Sequence, residues 1–182
     1  MEKALIIIDY TYDFVATDGL LTCGEPGQMI EEKMIEHINE FVNKGELVIF
    51  ACDLHEENDP FHPETALFPS HNIRGTKGRE LYHSVQTLYE EIKHLPNVKW
   101  MDKTRYSSFA GTNLELLLRE RKINELYLAG VCTDICVLHT AVDAYNLGYH
   151  LHIYSDAVAS FNQDGHTWAL RHFKEALGAN VL

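Results

Sequence analysis

The sequence is poor in cysteine, with 4 in 182 residues, and poor in basic residues, with 15 lysines and arginines against 27 aspartates and glutamates. Four cysteines at irregular spacing do not make a disulfide framework, so reduced thiols are expected. A formal net charge of −12 argues against nucleic acid as a partner, because phosphate binding needs clustered Lys and Arg that displace counterions. Long apolar runs are also missing. The opening MEKALIIIDY reaches an acid too soon for a membrane span or a signal-peptide core, so no membrane partner and a cytoplasmic location are expected. No Gly/Ser-rich linker, repeat or low-complexity tract interrupts the chain, and its length suits one core. One domain over residues 1–182 is the expectation; a homo-oligomer is compatible with it.

What is present is an alternation. Short apolar β-rich runs, ALIII, LVIFA, VKWM, LYLAG and HLHIY, alternate with stretches of helical period near 29–44, 80–94, 111–122, 134–147 and 164–177. This order predicts a three-layer α/β fold, a mostly parallel sheet with helices on both faces. Continuously apolar strands agree with it, since parallel strands are covered on both sides. Ligands of such sheets bind beyond the carboxyl ends of the strands, where strand order reverses. The polar residues that follow the strands are therefore the candidates: Asp9, then Asp53 and His55, then Lys103, then the segment GVCTDICV. An acid, two potential metal ligands, a cation and a thiol would share one edge.

Within GVCTDICV, Thr133 reads as the N-cap of the following helix, with Cys136 at about the third helical position. The helix dipole and a nearby cation would then favour its thiolate. Cys132 sits at the turn, where its backbone N–H, with that of Cys136, would form an oxyanion hole. The C-x-x-x-C spacing differs from the C-x-x-C of redox and zinc-ribbon sites. Asp53 and His55 lie two apart, so on an extended segment both side chains point the same way. Carboxylate and imidazole together suit zinc, manganese or iron.

LIIIDYTYDF, the DLH after the second strand, DKTRYSSF and GVCTDICV, in this order, resemble the isochorismatase-like cysteine hydrolases over nearly the whole chain, and among them the nicotinamidases (pyrazinamidases). The resemblance implies a catalytic triad of Asp9, Lys103 and Cys136 and a cis peptide between Val131 and Cys132. It implies a metal, zinc foremost, held by Asp53, His55 and His71, with Glu64 favoured over His62 as the remaining ligand. It also implies an aromatic slot of Phe14, Phe68 and Tyr106, with Leu20 as a further lining residue. The implied reaction takes nicotinamide, and pyrazinamide, through a cysteine thioester to the carboxylate and ammonia, in NAD salvage. Two alternatives stay open: a related cysteine amidohydrolase acting on another small amide or ureido compound, and a non-catalytic metal-binding member of the fold.

Overall fold

The computed structural model describes residues 2–182. Its centre is a six-stranded sheet in the order β3-β2-β1-β4-β5-β6, with every neighbouring pair parallel. The strands are β1 (Lys3–Ile8), β2 (Leu47–Asp53), β3 (Val98–Lys103), β4 (Glu125–Val131), β5 (His150–Ala159) and β6 (Asn180–Val181). From β1 the order runs outward through β2 and β3 on one side and through β4, β5 and β6 on the other. The strand order therefore reverses between β1 and β4, which opens a crevice at their carboxyl ends.

Among the described residues, seven α-helices follow the alternation: α1 (Tyr12–Val15), α2 (Glu25–Met29), α3 (Glu31–Asn43), α4 (His83–Ile92), α5 (Leu114–Glu120), α6 (Leu138–Asn146) and α7 (Gln163–Glu175). They divide between the two faces of the sheet, because alternate β1 residues point opposite ways. Leu5 and Ile7 share a core with Phe14, Met34, Ile38, Phe41 and Val85, from the helices up to α4. Ala4, Ile6 and Ile8 share the other with Leu114, Leu118, Ala141, Ala169 and Phe173, from α5 to α7. Met34, Ile38 and Phe41 recur at helical spacing and are buried; each such side chain contributes about 1.5–3 kcal/mol relative to exposure.

Some boundaries differ from those the sequence predicts. Polar Asp102 and Lys103 still belong to β3, because they continue the register with Cys52 and Asp53 of β2. The fifth strand runs on to Ala159, past a register shift opposite β4, although the apolar run HLHIY ends at Tyr154. The two-residue β6 pairs with His152 and Ile153 and is too short to leave a pattern. Helix α4 begins only at His83, because Leu81 is bridged to Thr11. Among the described residues no helix is long and apolar enough to cross a membrane.

Candidate active site

The crevice is built by two departures from regular strand geometry. Asp9 ends β1 in the left-handed region at φ 54°, a conformation that Asp tolerates better than most residues, while its N–H donates to Ala51 O at 3.0 Å. Gly130 lies at φ 123°, and a Cβ there would come within 2.0 Å of Ile8 O, so only glycine lets β4 approach β1 this closely. The next peptide, Val131–Cys132, is cis.

Lys103 is fully enclosed between two carboxylates. Its Nζ lies 2.6 Å from Asp9 Oδ2 and 2.6 Å from Asp53 Oδ1, and it also donates to Arg105 O at 3.1 Å. Asp9 Oδ1 in turn accepts the Asp53 N–H at 2.8 Å. Burial alone would lower the ammonium's pKa, but Asp53, Asp9 and Cys136 outweigh it and hold Lys103 well above its ordinary value. Burial, helped by Asp53 and opposed by Lys103, pushes the Asp9 carboxyl up to about 7. Such a carboxylate can take a proton near neutral pH and give it back.

Cys136 is buried, and its Sγ lies within 4.8 Å of carboxylate oxygens of Asp9 and Asp53. The local geometry differs from the sequence expectation. Thr133 does not cap a helix; it is the first residue of a π-helical turn, Thr133–Val137, whose N-cap is Cys132. The Thr133 hydroxyl instead shares a hydrogen bond with His166 Nδ1 at 2.8 Å. The thiol is also not set up as a free thiolate. Burial pushes Cys136 well above its ordinary pKa, and Lys103 only partly offsets this, so desolvation outweighs any helix-end effect. The Asp9 carboxylate, with an oxygen within 4.8 Å of Cys136 Sγ, is instead the acceptor placed to take the proton. Cys132 borders the same cavity, and its own thiol is raised by a hydrogen bond to Cys23 and by burial.

Beside this cluster Asp53, His55, Glu64 and His71, all buried, bring ligand atoms within 4.8 Å of one another. Glu64 Oε1 lies 3.9 Å from His55 Nε2, and Glu64 Oε2 lies 3.5 Å from His71 Nε2. Asp53 Oδ2, His55 Nε2, Glu64 Oε1 and His71 Nε2 are all buried without a hydrogen-bond partner. Buried polar atoms left unsatisfied are costly, and four converging on one point is the arrangement a cation resolves. His71 Nδ1–H donates to Pro69 O at 2.8 Å, which leaves Nε2 as the free lone pair, as metal-ligating histidines require. Two imidazoles and two carboxylates suit a divalent transition metal. His62 does not join the group: its Nε2 hydrogen-bonds Thr104 O at 2.7 Å.

A cavity of about 400 Å³, counting its open mouth, connects the two clusters. Phe14, Phe68 and Tyr106 line it together with Asp53, Glu64, Cys132 and Cys136. Leu20 does not: it is 59% exposed and faces a separate surface groove with Tyr12 and Lys77. Its neighbour Leu21 lines the cavity instead; Asp13 holds both backbones, accepting the Leu20 N–H at Oδ1 at 3.3 Å and the Leu21 N–H at its carbonyl O at 3.1 Å. The sequence reading also missed Val131, Ile135 and Phe161, all at the cavity wall. Phe161 follows the true end of β5, and the strand-end rule would have found it had the strand been carried to Ala159.

The fold and site define a doubly wound α/β protein that carries, at its switch point, the chemical groups of a cysteine hydrolase. The Isochorismatase domain model matches residues 3–182, and the chain belongs to that family. It is 62% identical over 181 residues to the isochorismatase family protein PncA of Bacillus subtilis (strain 168), covering 100% of this chain and 99% of that protein. The crystal structure of nicotinamidase/pyrazinamidase PncA from Bacillus subtilis superposes with a TM-score of 0.98 at 61% identity, over 100% of this chain and 99% of that one. The pyrazinamidase of Pyrococcus horikoshii, solved in complex with zinc, is 29% identical with a TM-score of 0.85, over 100% of this chain and 99% of the other.

Proposed function

We propose that this protein is a nicotinamidase that hydrolyses nicotinamide, and also pyrazinamide, to the carboxylate and ammonia. The observation that carries the reading is the set of four unpartnered ligand atoms on Asp53, His55, Glu64 and His71, beside a buried thiol in an aromatic-lined cavity. The Bacillus subtilis, Streptococcus mutans and Staphylococcus aureus structures that match at 61%, 50% and 52% identity are all described as nicotinamidases. A divalent metal held by those four residues, zinc foremost, would act as a Lewis acid toward a ring nitrogen.

Phe14, Phe68 and Tyr106 receive the flat ring and present its carboxamide to Cys136. Asp9 takes the thiol proton, Lys103 holds the negative charges together, and the sulfur attacks the carboxamide carbon. Negative charge growing on the amide oxygen is met by the backbone N–H groups of Cys132 and Cys136. Protonated Asp9 returns its proton to the departing ammonia. Water then hydrolyses the thioester, and the thiol is restored. The reaction belongs with pyridine nucleotide salvage in the cytoplasm.

The deciding experiment measures ammonia release from nicotinamide, pyrazinamide and benzamide by metal-loaded protein. Benzamide fits the slot but lacks the ring nitrogen. Its kcat/KM is expected to fall by about 10⁴ relative to nicotinamide, the scale on which a site built for a polar contact rejects an analogue lacking it. Equal values would remove the metal–nitrogen contact from the reading. No turnover of nicotinamide would overturn the assignment in favour of another small amide.

A further inference from the structure

Phe161 stands apart from the other aromatic residues of the cavity. Phe14 packs against His71 at a ring distance of 5.2 Å, and Phe68 lies 6.3 Å from the same ring, so both come from the β1–β2 side with the metal ligands. Phe161 comes from the opposite side of the switch point, between the end of β5 and Asn162, the N-cap of α7. It lines the cavity while remaining 59% exposed. A phenyl ring in that position gains its full burial only when a ligand occupies the space beside it.

The ring is carried on a tightly held segment. Ser160, on one side, is buried, and its Oγ donates to Asp134 Oδ1 at 2.7 Å while accepting the Asn162 N–H at 3.2 Å. On the other side, Asn162 Oδ1 caps α7 by accepting the Gly165 N–H at 3.1 Å, and His166 is bonded to Thr133. Asp134 and Thr133 both belong to the turn that bears Cys136. The segment holding Phe161 is thus fastened twice to the turn holding the thiol. A ring so mounted limits how far a substrate can extend once its carboxamide reaches the sulfur.

We propose that Phe161 is a specificity-determining residue that closes the outer end of the cavity and restricts the enzyme to monocyclic heteroaromatic carboxamides, excluding fused bicyclic ones. The proposal rests on the nicotinamidase reading for its substrate class. Quinoline-3-carboxamide is the matched probe, because it keeps the ring nitrogen and the meta carboxamide and adds only a fused ring. In Phe161→Ala the ratio of kcat/KM for nicotinamide over quinoline-3-carboxamide is expected to fall at least about tenfold, in the range that a change of pocket size brings. The change should come from better turnover of the bicyclic amide. Phe161→Trp should move the ratio the other way. A ratio within about twofold of the parent in Phe161→Ala would overturn the proposal.

Alkylation separates this from failure of the nicotinamidase reading. Iodoacetamide and a bulky aryl maleimide would be compared at mildly alkaline pH, with the label localised to Cys136 by tandem mass spectrometry. If nicotinamide is not hydrolysed at all, this comparison decides. Selective acceleration of the bulky reagent in Phe161→Ala would support the closure role while the substrate assignment falls, and unchanged relative rates would overturn the closure role as well.

Discussion

Asp53 gives one carboxylate oxygen to Lys103, with Oδ1 2.6 Å from Nζ, and leaves the other, Oδ2, buried and unpartnered in the group formed with His55, Glu64 and His71. One side chain is thus shared between the ammonium and the candidate metal centre. Perturbing either should be felt by the other, and the predictions below follow from that arrangement and from the thiol beside it.

The two cysteines of the π-turn should separate cleanly. Cys136→Ala removes the sulfur and is expected to reduce turnover by about 10⁴-fold or more, as loss of a nucleophile does elsewhere. Cys132→Ala should retain most activity, since alanine keeps the backbone N–H. Steady-state ammonia release checks both, and the opposite ranking would move the nucleophile to Cys132.

Asp9→Asn keeps an oxygen for the Asp53 N–H, now accepted at 2.8 Å, and removes the proton acceptor. Folding should survive while kcat falls roughly 100-fold or more, the scale of general acid–base catalysis. Far-ultraviolet circular dichroism alongside kcat tests this, and a correctly folded variant with parental kcat would eliminate Asp9 as the base.

Lys103→Met leaves Asp9 and Asp53 facing one another without the buried cation. Breaking a buried pair by removing one partner costs about 3–5 kcal/mol, which for a chain of this size corresponds to a Tm lowered by about 10 °C. Thermal unfolding of the metal-free and metal-loaded proteins measures it. An unchanged Tm would mean that the two carboxylates are not both ionised in the native protein.

Chelation should strip a divalent metal and abolish turnover, with one of a few transition metals restoring it. His55→Ala and His71→Ala should each lose bound metal, and Glu64→Ala should bind it more weakly. His62→Ala should bind it as the parent does, because His62 is engaged with Thr104 O. Metal content by atomic spectrometry decides, and loss of metal in His62→Ala with retention in Glu64→Ala would exchange the two assignments.

Asp9, Asp53 and the GVCTDICV segment were legible because the strands before them are mostly buried and apolar, so an acid or a cysteine at the end of such a run stands out; β3, VKWMDK, is mixed, and Lys103 was read from its place just after VKWM. Asp9, Asp53, Lys103 and the GVCTDICV segment all fall at carboxyl ends of strands on either side of the switch point. The less legible parts depend on tertiary contacts. Leu20 and Leu21 are identical in type, and only their tertiary placement separates them, Leu20 at a surface groove and Leu21 at the cavity. Thr133 has the composition of an N-cap, but His166, 33 residues away in sequence, takes its hydroxyl. Phe161 was hidden because half-buried Ser155 and exposed Asp156 break the apolar run of β5, even though the strand continues beyond them.

The close pairing of β1 with β4 through Gly130 also bears on how the protein acquires activity. Asp9 and Cys136 stand at opposite ends of a long stretch of chain, and they meet only once the Ile8–Gly130 register is in place. Such non-local pairing forms late, because loop closure must be paid before the contacts return any gain. A partly folded chain, even one with its helices intact, would hold the thiol without its base. Recovery of turnover during refolding therefore reports completion of the central sheet, and it should lag behind the return of helical signal.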